Sequence, residues 1–202
     1  LIRAVRFPTH TTPCGQPSEL LEQIAGRLHD YVDLPDESLR LVANYVLGTW
    51  LVDCLPVAPY LSVFGPTGSG KTTLLKLLQC LCRRPLLLGD ISGASLYRLV
   101  TFLKLTLLID ESDFENTVRS RELQRLLRAG NTPGESVARN GQLFDLYGCK
   151  VIASRQPLQD VALGTRAIHI AMSPSRRNLQ PLHPISADLI AEELQPKLLM
   201  FR

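Results

Sequence analysis

Three glycines, a proline and one lysine stand together in Gly65-Pro66-Thr67-Gly68-Ser69-Gly70-Lys71-Thr72-Thr73, and the spacing G-x-x-x-x-G-K-[ST] has a definite chemistry. Glycines bring main-chain N–H groups close to a polyphosphate where a β-carbon would intrude, and a helix starting at the lysine turns its positive end toward the same charge. Lys71 is then placed to reach the β and γ phosphates. The Thr72 hydroxyl is placed to ligate Mg²⁺, a hard ion that takes oxygen donors and keeps several waters. A second group lies in Leu105–Ser112, "LTLLIDES", an apolar run that ends in two adjacent carboxylates. Asp110 is expected to hold Mg²⁺ through its water shell, and Glu111 to orient and activate the water that attacks the γ-phosphate. An acid directly after the metal aspartate suits hydrolysis, because a simple kinase takes its nucleophile from a substrate hydroxyl.

These residues can meet only if strands and helices bring them to one edge. From Tyr60 onward, short β-branched or leucine-rich runs alternate with amphipathic stretches, the pattern of a parallel sheet covered on both faces. The runs predict strands near 60–64, 86–89, 105–109, 149–153 and 167–171, with helices near 70–82, 93–102 and 119–129. The expected fold is therefore α/β, a central parallel sheet flanked by helices, with ligands at the carboxyl edge of the strands. Residues 1–17, with Pro8, Pro13 and Pro17, predict an irregular arm, and 18–59 a helical lead-in. Its first helix is capped by Ser18, and its second opens at Pro35-Asp36 and runs through Trp50, a core residue, to about Asp53. The ATPase core is expected over 60–174, and a C-terminal segment over 175–202 with a helix near 186–200. Within the core, Val137 and Arg139 alternate before Asn140-Gly141, and Leu143, Phe144 and Leu146 follow. The Asn-Gly pair predicts the two-residue turn of a β-hairpin.

Composition supports one main globular domain. Of 202 residues, 45% are hydrophobic and 20% charged, with a net charge of +3, which is no composition for disorder. The pI of about 8.7 leans only slightly toward acidic partners and names none. Cys14, Cys54, Cys80, Cys82 and Cys149 are odd in number and lack paired CxxC spacing, which predicts reduced thiols in a cytoplasmic protein rather than a zinc site. The long apolar run Leu39–Leu55 is broken by Arg40, Asn44 and Asp53, so it suits a core helix and not a membrane span. Because the chain opens on Leu1 rather than Met, we expect an excerpt of a longer protein with flanking domains.

Residues 36–173 resemble an AAA+-type helicase ATPase of phages, plasmids and integrated mobile elements. The resemblance is carried by the helical lead-in "ESLRLVANYVLGTWLVDCLPVAPYLSVFGPTGSGKTTLLKLL", then "LLIDESDF", "LLRAGNTPGESVARNGQLFDLYGCKVIASR" and the closing "TRAIHI". It is similar to ATPase domains fused to primase-like modules, and more distantly to superfamily III and MCM-like helicases. The resemblance implies an additional-strand P-loop NTPase, with ATP and Mg²⁺ as cofactors, working as a homo-oligomeric ring. It implies that Ser154, at the end of "GCKVIAS", is the first sensor of the γ-phosphate, with Arg155 as a rival. It implies that Arg166 reaches into the neighbouring subunit's nucleotide, where a guanidinium stays charged and forks onto phosphate oxygens. Arg176 and Arg177 are candidates by position for a second sensor, and His169 is expected within a strand, in the core or on the sheet face. In superfamily III and MCM-like helicases a hairpin just before the sensor strand projects into the ring channel. By that likeness Arg139 and Asn140 would touch the backbone of single-stranded or duplex DNA without reading sequence.

Two functions fit these expectations. One is a DNA helicase or remodelling motor in the replication of a mobile element or phage. The other is a nucleotide-dependent switch or scaffold of the signalling or defence type, without translocation. Stimulation of ATP hydrolysis by DNA separates them.

Overall fold

A computed structural model describes residues 5–88, 93–110, 127–139 and 141–202. Five parallel strands form the central sheet: β1 (Tyr60–Phe64), β2 (Pro85–Leu88), β3 (Thr106–Asp110), β6 (Lys150–Ser154) and β7 (Ala167–Ala171), in the order β2-β3-β6-β1-β7. Strand β6 thus lies between the strand that leads into the glycine-rich loop and the strand that ends in Asp110, which is the additional-strand arrangement. All five strands carry short apolar runs, and the three central ones are buried on both faces, as a sheet covered by helices on both sides requires.

Helix α3 (Lys71–Leu81) starts inside the loop motif and buries Leu74, Leu75, Leu77, Leu78 and Leu81. Each such side chain contributes roughly 2 kcal/mol of burial, so the helix that presents Lys71 and Thr72 is held by its apolar face. Helices α1 (Pro17–Tyr31), α2 (Asp36–Trp50) and α6 (Pro184–Phe201) pack around it in one apolar cluster. Trp50 is buried, and its indole N–H donates to the Leu81 carbonyl at 2.9 Å, fixing the end of α3 to α2. On the other side of the sheet, α4 (Gly93–Leu103) joins a second cluster with Leu107, Ile109, Ile152 and Phe144.

The hairpin is present as β4 (Ser136–Arg139) and β5 (Gln142–Asp145), antiparallel, with Arg139 opposite Gln142. Gly141, directly before β5, takes φ +72°. The hairpin is docked on α4: Phe144 meets the Tyr97 ring edge-on at 5.6 Å, Thr101 donates to the Asp145 carbonyl at 3.0 Å, and Lys104 pairs with the Asp145 carboxylate.

Several boundaries move. The first helix is capped by Gln16 rather than Ser18, because Pro17 takes the first helical position, where its missing N–H costs nothing. The Glu19 carboxylate then accepts the Gln16 N–H at 3.1 Å. The second helix stops at Trp50, and a short 3₁₀ turn covers Val52–Cys54. Strand β6 begins and ends one residue later than the range 149–153, leaving out Cys149 and ending on Ser154. A four-residue helix, α5 (Val161–Gly164), precedes β7, with Asp160 as its cap accepting the Leu163 N–H. Most of the helix expected at 119–129 lies outside the described residues, as do Glu111 and Asn140.

Candidate nucleotide site

The loop leaves β1 and crosses the carboxyl edge of the sheet. Gly65 N–H donates to the Ser154 carbonyl at 3.3 Å, and the next strand passes so close that a β-carbon on Gly65 would stand 2.1 Å from the Met172 carbonyl oxygen. Gly70 takes the left-handed conformation, φ +90°, immediately before α3, which a side chain would strain. Together they turn the loop around a cleft of about 410 Å³, lined by Thr67 through Thr73, Asp110 and Arg155. Of the predicted loop residues, Gly65 and Pro66 shape the loop from behind and do not line this cleft.

Lys71 folds back over the loop, donating from Nζ to the carbonyls of Gly65 (2.7 Å) and Pro66 (2.8 Å) and to Ser69 Oγ (3.4 Å). Partial burial holds its pKa below the usual lysine value; the Asp110 carboxylate works against this and the Arg155 charge works with it. An arriving phosphate would replace those carbonyls with a full negative charge. Thr72 Oγ1 donates to Asp110 Oδ2 at 2.9 Å, so the two expected metal ligands already touch. A hydroxyl and a carboxylate are hard oxygen donors and fit Mg²⁺, which is normally held by one or two such groups together with phosphate oxygens.

Ser154 ends β6 beside the loop, but its hydroxyl donates to the Gln156 carbonyl at 2.6 Å. The next residue, Arg155, is the one from this strand end that lines the cleft. Arg166 lies at the opposite edge. It precedes Ala167, which pairs with Tyr60 at the start of β1, so the length of β1, about 16 Å at strand rise, separates it from its own loop. Its guanidinium donates to the Arg128 carbonyl. Arg177 is tied to α1 through the His29 carbonyl (3.1 Å), and Arg176 N–H donates to Asp33 (3.2 Å). Neither lines the cleft. His169 is exposed on edge strand β7, with Nε2 3.0 Å from the Gly164 carbonyl oxygen. Arg139 packs its guanidinium 5.0 Å from the centre of the Tyr97 ring, on the face of the hairpin turned to α4.

Sequence reasoning passed over Lys150. At 1% exposure it sits at the start of β6, with Nζ 2.7 Å from the Tyr60 hydroxyl, 3.1 Å from the Leu146 and Gly148 carbonyls and 3.4 Å from that of Gly130. Tyr60 in turn donates to the Ala129 carbonyl at 3.3 Å. Three consecutive carbonyls, of Arg128, Ala129 and Gly130, thus accept from Arg166, Tyr60 and Lys150. Desolvation lowers the Lys150 pKa to about 7. The available signal was a lysine heading an apolar strand, which reads as a solvated strand end.

No protein-family model and no curated protein matches the chain. Solved structures do. The apo A form of the NrS-1 C-terminal region superposes with a TM-score of 0.55 at 16% identity, covering 95% of this chain and 47% of that one. JCV helicase bound to a thiazolopyridinyl acetamide gives 0.53 at 19%, covering 93% and 55%. The fold shared with these helicase structures is α/β, a central parallel sheet flanked by helices. A second inhibitor-bound JCV helicase structure agrees, with 0.51 at 18% identity and 93% and 54% coverage. The chain spans about half the length of each of these proteins. Likeness at such identities concerns the fold alone. Among the described residues no helix is long and apolar enough to cross a membrane.

Proposed function

We propose that this chain is the ATP-binding and ATP-hydrolysing motor domain of a DNA helicase or remodelling ATPase in the replication module of a phage or mobile element. The observation that carries the reading is the 2.9 Å contact between Thr72 and Asp110, placed beside Lys71 at the mouth of a glycine-lined cleft. Loop N–H groups and the positive end of α3 bind the phosphates, and Lys71 exchanges its loop carbonyls for β and γ oxygens. Mg²⁺, held by Thr72 and Asp110, would supply charge neutralisation between those phosphates. Glu111, which follows the last residue of β3, acts as general base toward water. Arg166, too far from its own loop, serves a neighbouring copy in a ring. The hairpin offers Arg139 and Asn140 to a nucleic-acid backbone, with DNA the partner favoured by the helicase neighbours. Five thiols without disulfides suit a reducing compartment such as the cytoplasm.

The test is a pair of variants. Lys71→Ala should abolish ATP binding, whereas Glu111→Gln should bind ATP and lose hydrolysis by a hundredfold or more. Hydrolysis by Glu111→Gln near the parent rate would show the base to be another residue. ATP turnover that single-stranded and duplex DNA leave unchanged, measured on an assembled protein, would reject the motor in favour of a switch.

A further inference from the structure

The hairpin is fastened to the sheet at its root, and the fastening converges on Lys150. The chain enters the hairpin through Gly130 and Asn131 and leaves it through Leu146, Tyr147 and Gly148. The two legs touch: Gly148 N–H donates to the Gly130 carbonyl at 3.2 Å, and a β-carbon on Gly130 would stand 2.0 Å from the Leu146 carbonyl oxygen. Each leg also has its own tie to the segment that joins α2 to β1. The Asn131 carbonyl accepts from Ala58 N–H at 2.8 Å and the Asn131 side-chain amide donates to the Ala58 carbonyl at 2.9 Å. The Tyr147 hydroxyl lies 3.0 Å from the Val52 carbonyl and 2.6 Å from that of Leu55. Among the described residues, Lys150 is the side chain that reaches both legs, with Nζ 3.4 Å from the Gly130 carbonyl on the way in and 3.1 Å from those of Leu146 and Gly148 on the way out.

This site can hold the amine with or without its extra proton. An ammonium donates three hydrogens and uses the Tyr60 hydroxyl, at 2.7 Å, as an acceptor; a neutral amine donates two hydrogens to carbonyls and accepts one from the same hydroxyl. At 1% exposure, burial favours the neutral form and brings the pKa of Lys150 down to about 7. Opening the root returns Nζ to water and restores the ordinary lysine affinity for a proton, so between those two limits opening takes a proton up. The groups that face Lys150 from the neighbouring elements keep their charge across neutrality. Burial pushes the thiol of Cys149 on β6 up to about 12, and pushes the Tyr60 hydroxyl on β1 up as well. At Asp145, on the hairpin, the Lys104 hydrogen bond outweighs burial and holds the carboxyl below its usual range. Arg166 before β7 and Arg128, paired with Asp160, are permanently charged, and the carboxylate of Glu135 acts on Tyr60 from the start of the hairpin.

We propose that Lys150 is a proton-linked latch on the root of the hairpin: local opening of the arm takes up a proton at this amine, so the arm is docked more firmly on the alkaline side of neutrality and loosens toward pH 7. The latch concerns how the arm is held and stands whatever the arm touches.

Amide hydrogen exchange on the whole chain, corrected for the intrinsic pH dependence of exchange, tests the latch. Protection of the amides in the β4–β5 ladder and of Gly148 should lie below that of the core amides of α3, and should rise roughly tenfold between pH 7.0 and 8.5. In Lys150→Met the same amides should show protection that does not change with pH. Hairpin protection independent of pH in the parent means that the arm opens with Lys150 still buried, and overturns the proposal. Hairpin amides that match those of α3 at every pH also overturn it, because the arm then opens only with the whole chain. Both readings are made on the parent alone and survive a Lys150→Met protein that does not fold; a rise in folded Lys150→Met as large as in the parent assigns the proton to another group and overturns the proposal as well.

Discussion

Lys150 is a buried ammonium with no carboxylate in contact among the described residues, and replacing it with methionine gives a measurable pH signature. Its neighbours are the Tyr60 hydroxyl and ring and three carbonyls, with Cys149 beside it in the chain and Asp145 and Arg166 acting at longer range. Desolvation brings its pKa down to about 7, against 10.5 for a free lysine. Between those values the unfolded chain holds more protons than the folded one, so stability rises with pH across that window. Below pH 7 both states are protonated and the penalty is constant. Over pH 7 to 8.5 the rise amounts to about 2 kcal/mol, at roughly 1.4 kcal/mol per pH unit and less near the folded pKa. Above pH 9 the Cys149 thiol, which burial pushes up to about 12, begins to work in the opposite sense, so the measurement belongs below that. Lys150→Met removes a buried charge but orphans carbonyls at roughly 1 to 3 kcal/mol each. The level of stability at one pH is therefore ambiguous, and the slope is the readout. Urea unfolding followed by Trp50 fluorescence at pH 7.0 and 8.5 should show the parent gaining about 2 kcal/mol more than Lys150→Met over that interval. Equal gains would refute the argument and mean that Lys150 titrates as an exposed lysine does.

Two further outcomes are expected. Because Arg166 stands about 16 Å of strand away from its own loop, it should act between copies. Mixing Arg166→Ala with Lys71→Ala protein should then restore part of the hydrolysis at mixed interfaces of an assembled sample, and absence of rescue would argue against that role. Arg139→Ala should weaken DNA binding and lower the salt slope of log K by about 1, one phosphate contact's worth. Basal hydrolysis should change little, and unaltered DNA affinity would remove Arg139 from the interface.

What could be read in advance follows from how local each signal is. The loop is legible because each of its demands falls on one short stretch: glycine where Met172 crowds the backbone, glycine again at the left-handed residue before α3, and lysine and threonine at the head of the helix. Strand β3 is legible for the same reason, since a continuous apolar run must end where Asp110 begins to be wetted. The hairpin turn announced itself through Asn140-Gly141, because few other residue pairs tolerate the backbone that a two-residue turn needs. Ser154 and Arg155 are harder. Side chains alternate faces along a strand, so the end of β6, one residue later than its apolar run implies, decides which of two adjacent residues meets the cleft. No periodicity marks that end; the turn that takes the Ser154 hydroxyl does.

Lys150 is harder still, because its environment is assembled from three segments, around Tyr60, around Gly130 and over 146–150. Tyr60 heads β1, Gly130 enters the hairpin, Leu146 and Gly148 leave it, and Lys150 heads β6. None of these residues carries a motif, and only the strand order β3-β6-β1 brings them under one side chain. The same juxtaposition carries mechanical content. Arg166, Tyr60 and Lys150 hold consecutive carbonyls of the segment 128–130 that feeds the hairpin. An Arg166 drawn onto a neighbour's phosphate must release the first of the three. The root of the hairpin and the edge that would meet the next subunit are thus fixed by one hydrogen-bonded strip, at the end of the sheet opposite the cleft. The loop can be read from contiguous residues, whereas this strip is held through backbone carbonyls, which every sequence possesses and none displays.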